Sequence, residues 1–327
     1  MLLNILFLIG GLAMILVGAN ALTDGSAGVA RRWGVSELVI GLTIVAFGTS
    51  APELVISVMS AAKGSTELAI GNVVGSNIFN ILVIIGVVAL VRPIRIGSST
   101  MDNELPLNLL AALALLAIGN GALLDSAPGG ALVSRVNAIL LLLFFAIFMH
   151  YTFSQARKPA DNSEAPDPQT AVTDKPMNML KACIWIIGGL AMLIWGGNLF
   201  VDGASAIAKH MGVSEAIVGL TIVAIGTSLP ELATSIVAAT KGKSDLAVGN
   251  VIGSNIFNIF FVCGMAGVVH PLQFGTIGNV DLLVLTLASL LFYITARWFG
   301  HRTITRIEGG LLVAVYIAYT AYLIATA

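Results

Sequence analysis

Charge is what this sequence has least of. Only 16 of its 327 residues are lysine or arginine and 17 are aspartate or glutamate, 10% together, where a soluble domain carries about a quarter. Outside the apolar runs almost nothing is left over for a soluble domain. Alternation of apolar and polar residues with period two is missing as well, which excludes outer-membrane strands. The two cysteines, Cys183 and Cys263, lie inside apolar stretches and read as small packed residues, neither a disulfide nor a metal site. The four histidines, His150, His210, His270 and His301, fall near the ends of apolar runs, a poor basis for a metal centre or a proton relay. No basic residue precedes the first apolar run, so it lacks the mark of a cleaved signal peptide. Its "GGLAM" at 10–14 returns as "GGLAM" at 188–192, as expected of a structural helix that stays in place.

What is present is apolar length. Hydrophobic residues make up 57% of the chain, whose mean hydropathy is +0.96. Crossing a hydrocarbon core takes roughly 20 apolar residues per helix. Stretches of that kind lie at 2–23, 38–62, 68–91, 104–123, 132–153, 179–201, 216–240, 246–269, 281–299 and 307–326. The expected fold is an all-α integral membrane protein of ten transmembrane helices. The net charge of −1 offers nothing to nucleic acid, and no obligate protein partner is inferred.

The chain repeats itself. Residues 41–80, "GLTIVAFGTSAPELVISVMSAAKGSTELAIGNVVGSNIFN", align without gaps to 219–258, "GLTIVAIGTSLPELATSIVAATKGKSDLAVGNVIGSNIFN", with about two-thirds of positions identical. The same offset carries Asn20, Asp24 and Ser36 onto Asn198, Asp202 and Ser214. Five helices therefore lie in 1–153 and five in 179–327, joined by a charged, proline-bearing linker at 154–178. An odd number of crossings makes the second copy enter the bilayer from the opposite side, so the repeats are expected to be inverted. Basic residues agree: those from Arg31 to Arg306 fall on one side, except Lys63, Arg135 and Lys209. Since cytoplasmic loops carry the positive excess, the linker is expected in the cytoplasm and both termini outside. Inverted repeats are a common build for secondary transporters, with the binding site near the midplane.

Each repeat places a proline and a glutamate inside a span, in "GTSAPE" ending at Glu53 and "GTSLPE" ending at Glu231. Proline removes a backbone donor and clashes with the preceding turn, so the helix should unwind near Thr49 and free carbonyls as hard oxygen ligands. A carboxylate at the bilayer centre costs about 2.5–3.5 kcal/mol even on lenient scales. One could be an accident; two related by the repeat are not. The next helix of each half adds "GNVVGSNIFN" and "GNVIGSNIFN", where Ser76, Asn77 and Asn80, and again Ser254, Asn255 and Asn258, offer side-chain oxygens within about one turn. Oxygen donors with neither histidine nor thiol describe a site for hard cations such as calcium. Two ionised glutamates are neutralised by one divalent ion or by two or three monovalent ones, which is the physical basis of coupled exchange.

With these motifs in hand, the sequence resembles the sodium/calcium exchanger family of the calcium/cation antiporter superfamily, in its bacterial or archaeal inner-membrane form. The resemblance covers almost the whole chain, and its specific part is the pair of family repeats at 41–80 and 219–258. It implies an antiporter in the plasma membrane that moves sodium inward and calcium out, with no cofactor and no enzymatic activity. Carried over, calcium is held by the carboxylates of Glu53 and Glu231 and the carbonyls of Thr49 and Thr227. Sodium uses those glutamates with Ser50, Ser76, Ser228 and Ser254 and the carbonyls of Ala46 and Ala224. Some relatives carry aspartate where this chain has Asn258; here Asn80 and Asn258 are both neutral, which argues against a potassium requirement.

The mechanism expected is alternating access, with the first and sixth helices sliding across a core of helices 2, 3, 7 and 8. A proton-coupled or potassium-dependent antiporter on the same scaffold is the nearest alternative, and an intramembrane hydrolase a remote one. Asp24 and Asp202 read as polar ends of the first helix of each half. Ser36 and Ser214 read as N-caps, and Glu67 and Asp245 as acids of a first turn. Asn108, Asn120 and Asn137 are assigned no role.

Overall fold

The computed structural model describes residues 2–124, 131–156, 177–211, 224–298 and 302–326. The principal helices are α1 (Leu2–Trp33), α2 (Glu37–Thr49), α3 (Ala51–Ala62), α4 (Thr66–Val91), α5 (Thr100–Gly119), α6 (Arg135–Ala156), α7 (Met179–His210), α8 (Leu229–Thr240), α9 (Ser244–Val269), α10 (Asn279–Trp298) and α11 (Arg306–Thr326). Among the described residues eight helices are long and apolar enough to cross a membrane, or nine when the bent pair α2 and α3 counts as one span. The span expected at 216–240 is described only from Ala224; its earlier part, with Ser214 ahead of it, lies outside the described residues, as do most of the linker and His301.

The chain forms two compact units, each drawing on both halves of the sequence. The first comprises Met1–Thr49 and Met149–Asn250. Its axis is the antiparallel crossing of α1 and α7. Their contacts follow a glycine heptad: Gly11, Gly18 and Gly25 on α1, and Gly189, Gly196 and Gly203 on α7. A Cβ on Gly18 would lie 2.8 Å from the Gly189 carbonyl oxygen, and one on Gly196 would lie 2.9 Å from that of Gly11. Only glycine allows backbones this close. Both helices run past the expected ends at 23 and 201. On α1 the reason is that Gly25, Ser26, Ala27 and Gly28 remain buried beyond Asp24, and Arg31 and Arg32 then suit the negative end of the helix dipole. At 1.5 Å per residue α1 is about 48 Å long, more than the roughly 30 Å of a hydrocarbon core, so it tilts or emerges.

The second unit comprises Ser50–Phe148 and Val251–Ala327. Here α5 packs on α10, and α4 crosses α11, where a Cβ on Gly86 would meet the Gly309 carbonyl oxygen at 2.8 Å. Phe145 of α6 packs against Phe257 and Phe261 of α9, with ring centroids 5.7 and 4.9 Å away. Two short antiparallel bridges, absent from the sequence expectation, tie loop to loop. They join β1 (Ile94–Arg95) to β4 (Thr303–Ile304), and β2 (Leu132–Val133) to β3 (Leu272–Gln273). Glu67, in the first turn of α4, accepts from Thr276 N at 2.8 Å and also from its hydroxyl, and Asp245 stands in the first turn of α9. The polar spans are the buried ones: 78% of the apolar window of α4 and 83% of that of α9 are buried, against 22% for α1 and 11% for α11.

Candidate cation-binding site

Each repeat carries one helix break, at the serine two residues before its proline. Thr49 Oγ1 lies 3.0 Å from the Val45 carbonyl and 3.1 Å from Asn250 Oδ1, which share its one proton, and Pro52 has no N–H to offer the carbonyl of Gly48. The chain bends by 48° between α2 and α3. The break is a single residue, Ser50, at φ −86° and ψ 9°, next to Thr49, near which the sequence predicts that the helix unwinds. Ser228 repeats it at φ −91° and ψ 6°. Each serine carbonyl then accepts the first bond of the new helix, from Leu54 N at 3.1 Å and from Leu232 N at 3.0 Å. Pro52 and Pro230 thus sit in a first turn, where a missing donor costs nothing. Glu53 and Glu231 occupy the same turns, fully buried, at helix N-termini that favour negative charge.

In the first unit Glu231 lies with Thr49, Ser228 and Asn250, all buried. Asn250 Nδ2 donates to the Glu231 carbonyl at 3.3 Å and to Ser235 Oγ at 3.0 Å, and its Oδ1 accepts from Thr49 Oγ1 at 3.1 Å. In the second unit Asn72 Nδ2 donates to the Glu53 carbonyl at 3.3 Å and to Ser57 Oγ at 2.9 Å. The same bracket is therefore built twice. Asn72, Asn250, Ser57 and Ser235 were not among the expected site residues. Their signal was present, since all four recur at the repeat offset, but serine and asparagine on a small-residue face read as packing until the bonds are seen.

Also in the second unit, Asn80 Nδ2 donates to Asn255 Oδ1 at 3.1 Å, and Asn77 Nδ2 to the Val73 carbonyl at 2.7 Å. The Oδ1 atoms of Asn77, Asn80 and Asn258 are buried and make no hydrogen bond among the described residues. An unpaired buried polar group costs about 1–3 kcal/mol, a cost that a cation or water ligated there would relieve. Two π-helical segments coincide with this region, Asn80–Ile85 and Phe257–Val262, and others occur at Gly41–Val45 and Thr100–Glu104. Such bulges inside α-helices gather at functional sites, because they re-aim side chains and loosen carbonyls.

The expected ligands therefore divide between the units. Ala46, Thr49, Ala224, Thr227, Ser228 and Glu231 belong to the first, and Ser50, Glu53, Ser76, Asn80, Ser254 and Asn258 to the second. Except for Thr227, which is partly exposed, and Ala224, described by its backbone alone, all are buried. Every donor among them is an oxygen or an amide. Among the described residues no three or more His, Cys, Asp or Glu come together in a way that could hold a metal ion.

Other expectations need correcting. Asp24 is not a helix end: it lies within α1 and accepts from Lys241 Nζ at 2.8 Å and Lys243 Nζ at 3.5 Å. Burial pushes the Lys243 ammonium below the ordinary lysine range, with Glu37 and Asp24 acting against that shift. Asp202 likewise lies inside α7, and is exposed. Cys263 is buried as expected, but Cys183 is exposed on α7, because the heptad turns its position away from α1. Ser36 caps α2 as expected, accepting from Val39 N at 3.3 Å. Asn108, given no role, is 2% exposed.

This arrangement has relatives. The family model described as "Sodium/calcium exchanger protein" matches residues 3–154 and 181–325, breaking at the linker. A putative antiporter, CaxA of Alkalimonas amylolytica, is 38% identical over 324 residues, covering 98% of each chain. The sodium/calcium exchanger MaX1 of Methanosarcina acetivorans is 30% identical over 347 residues, again 98% of each. A solved structure of the sodium-calcium exchanger NCX_Mj superposes with a TM-score of 0.82 at 30% identity over 98% of both chains. Matched in sequence and fold along nearly its whole length, this multi-pass membrane protein belongs to the sodium/calcium exchanger family of cation antiporters.

Proposed function

We propose that the protein exchanges sodium for calcium across the inner membrane by alternating access, and that Glu53 and Glu231 both ligate the transported ions. The observation that carries this reading is the pair of fully buried carboxylates, each at the start of a helix following a one-residue break. Two negative charges suit one calcium ion, or two sodium ions with a third bringing in net charge. A load of three sodium ions makes the cycle electrogenic, and each net charge moved through 100 mV is worth about 2.3 kcal/mol. The carbonyls of Thr49, Thr227, Ala46 and Ala224, the hydroxyls of Ser50, Ser76, Ser228 and Ser254, and the amides of Asn80 and Asn258 complete the ligand set. Ten crossings in two inverted repeats, with the linker in the cytoplasm and both termini outside, are part of the same proposal. The antiparallel course of the equivalent helices α1 and α7 supports the inversion.

Calcium uptake into sodium-loaded proteoliposomes is the test. Dissipating the sodium gradient should stop uptake, a pH or potassium gradient should not replace it, and an inside-negative potential should change its rate. Glu53→Gln and Glu231→Gln should each abolish uptake while leaving the protein folded. Substantial exchange surviving in either variant would falsify the ligand assignment, and uptake driven equally by protons would replace sodium as the coupling ion.

A further inference from the structure

We infer that Asn72 and Asn250 are positioning residues that set the height of Glu53 and Glu231, and that Asn250 also holds Thr49 in register with Glu231. This rests on the proposed role of the two glutamates as cation ligands. The geometry is duplicated to within 0.1 Å: the amide of Asn72 reaches the Glu53 carbonyl at 3.3 Å and Ser57 Oγ at 2.9 Å, and that of Asn250 reaches the Glu231 carbonyl at 3.3 Å and Ser235 Oγ at 3.0 Å. All three members of each bracket are 178 residues from their counterparts.

The backbone bond is the informative one. Within a helix the carbonyl of residue i is already taken by the N–H of residue i+4. A second donor from a neighbouring helix adds nothing to helix formation, but it pins the peptide that carries the glutamate Cα. In a first turn beside a break that pinning matters most, because the turn before it supplies no continuous backbone to hold the side chain in place. Asn250 does more than its counterpart is seen to do. Both its amide protons are used and its Oδ1 receives the Thr49 hydroxyl at 3.1 Å, so one fully buried side chain joins the last residue of α2 to the first turn of α8. The Thr49 carbonyl and the Glu231 carboxylate are thereby referred to the same fixed point. Groups that orient metal ligands without touching the ion typically change affinity by about 10–100-fold when removed.

The experiment compares equilibrium binding of radioactive calcium alone to the full chain in lipid nanodiscs with sodium-driven calcium flux, for wild type, Asn72→Ala, Asn250→Ala, Ser57→Ala and Ser235→Ala. Asn72→Ala and Asn250→Ala should raise the calcium concentration at half saturation by roughly 10–100-fold. Ser57→Ala and Ser235→Ala keep the amide-to-carbonyl bond and should change it by less than about threefold, although they disturb the same helix contacts. Thr49→Val, which keeps the carbonyl and loses the hydroxyl, should be less than additive with Asn250→Ala, since both remove one bond. Asn72 is only part-buried, so its alanine variant keeps the comparison available should Asn250→Ala not fold. Half-saturation within about twofold of wild type in both asparagine variants, or equal shifts from the serine variants, would overturn the proposal in favour of simple helix packing. Calcium binding without sodium-driven flux in wild type would overturn the proposed exchange alone and leave this comparison readable. No calcium binding in wild type would overturn both.

Discussion

Gly11→Ala, set beside Gly10→Ala, isolates what the seam between α1 and α7 requires. A Cβ on Gly11 would lie 2.6 Å from Phe200 N, 2.7 Å from the Gly196 carbonyl oxygen and 2.9 Å from Phe200 Cα, all backbone atoms. Ordinary contact begins at 3.4 Å, so the helices must part locally by about 0.8 Å. No rotamer change can absorb this, because nothing that is struck is a side chain. Overpacking of this kind costs about 1–3 kcal/mol. Gly10, one residue earlier in the same helix, has nothing within 4 Å of its Cβ position. Both substitutions gain the same roughly 1 kcal/mol of helix propensity, so that contribution cancels in the difference. Gly11→Ala should therefore be less stable than Gly10→Ala by about 1–3 kcal/mol, and Gly189→Ala less stable than Gly188→Ala by a similar amount. Reversible unfolding in mixed micelles, read by tryptophan fluorescence, measures the difference. If the two members of each pair unfold within about 0.5 kcal/mol of each other, a scale on which ordinary surface substitutions fall, the close backbone approach is not what those glycines serve.

Further expectations follow from other parts of the molecule. Asp24→Asn breaks the pairing with Lys241 and Lys243, but the three side chains are 34%, 29% and 17% exposed, so after solvent screening the loss should be no more than about 1 kcal/mol and should shrink with added salt. A thermal melt at two salt concentrations reads it, and a larger, salt-independent loss would contradict the assignment. Tyr319→Phe removes a 2.6 Å bond from the hydroxyl to Asp281 Oδ1, and should cost about 1.5–3 kcal/mol, as hydrogen bonds to charged groups do. Asp281 keeps its second bond, from Gly278 N at 2.8 Å, so the start of α10 should stay folded, and hydrogen exchange at residues 279–283 is the check.

Composition was enough to read a chain that crosses the membrane many times, and the repeat was enough to put Glu53 and Glu231 at equivalent places, each in the first turn after a break, because both depend on which residues occur and how often. Pro52 and Pro230 located the breaks to within two residues, since proline acts through its own ring and missing donor. Helix ends were less legible. Asp24 looked like a terminus because a charge ends an apolar run, yet here lysines from a distant loop neutralise it and the helix continues beneath small buried residues. The π-helical segments left no mark, since they arise where packing forces an extra residue into a turn. The role of Asn72 and Asn250 was illegible for a related reason: whether an amide ligates, caps or braces depends on which carbonyl lies opposite, and that is settled by α4 and α9 docking on the broken helices.

The first unit joins two interfaces of different character, and the difference bears on the proposed motion. α2, α8 and the start of α9 are held by directional bonds, from Thr49 to Asn250 and from Asn250 to both Glu231 and Ser235. Displacing one of these helices by an ångström would break several bonds at once in a place water does not reach. α1 and α7 meet instead through glycines and aliphatic side chains, and among the described residues no side-chain hydrogen bond joins them. Only glycine fits where these two backbones touch, so α1 and α7 do not slide on each other, and a motion that spares the braced set is one in which the two move together. That asymmetry is what a transporter needs if its ligand geometry is to survive the change of access. The ion pair from Asp24 on α1 to Lys241 and Lys243, in the loop after α8, is then a polar tie between these two helices and the braced ones. It should hold longest in the arrangement described here. Asp24→Asn should accordingly shift the balance of inward- and outward-open forms, measurable by site-specific labelling on either side, and an unchanged balance would show that the tie is merely structural.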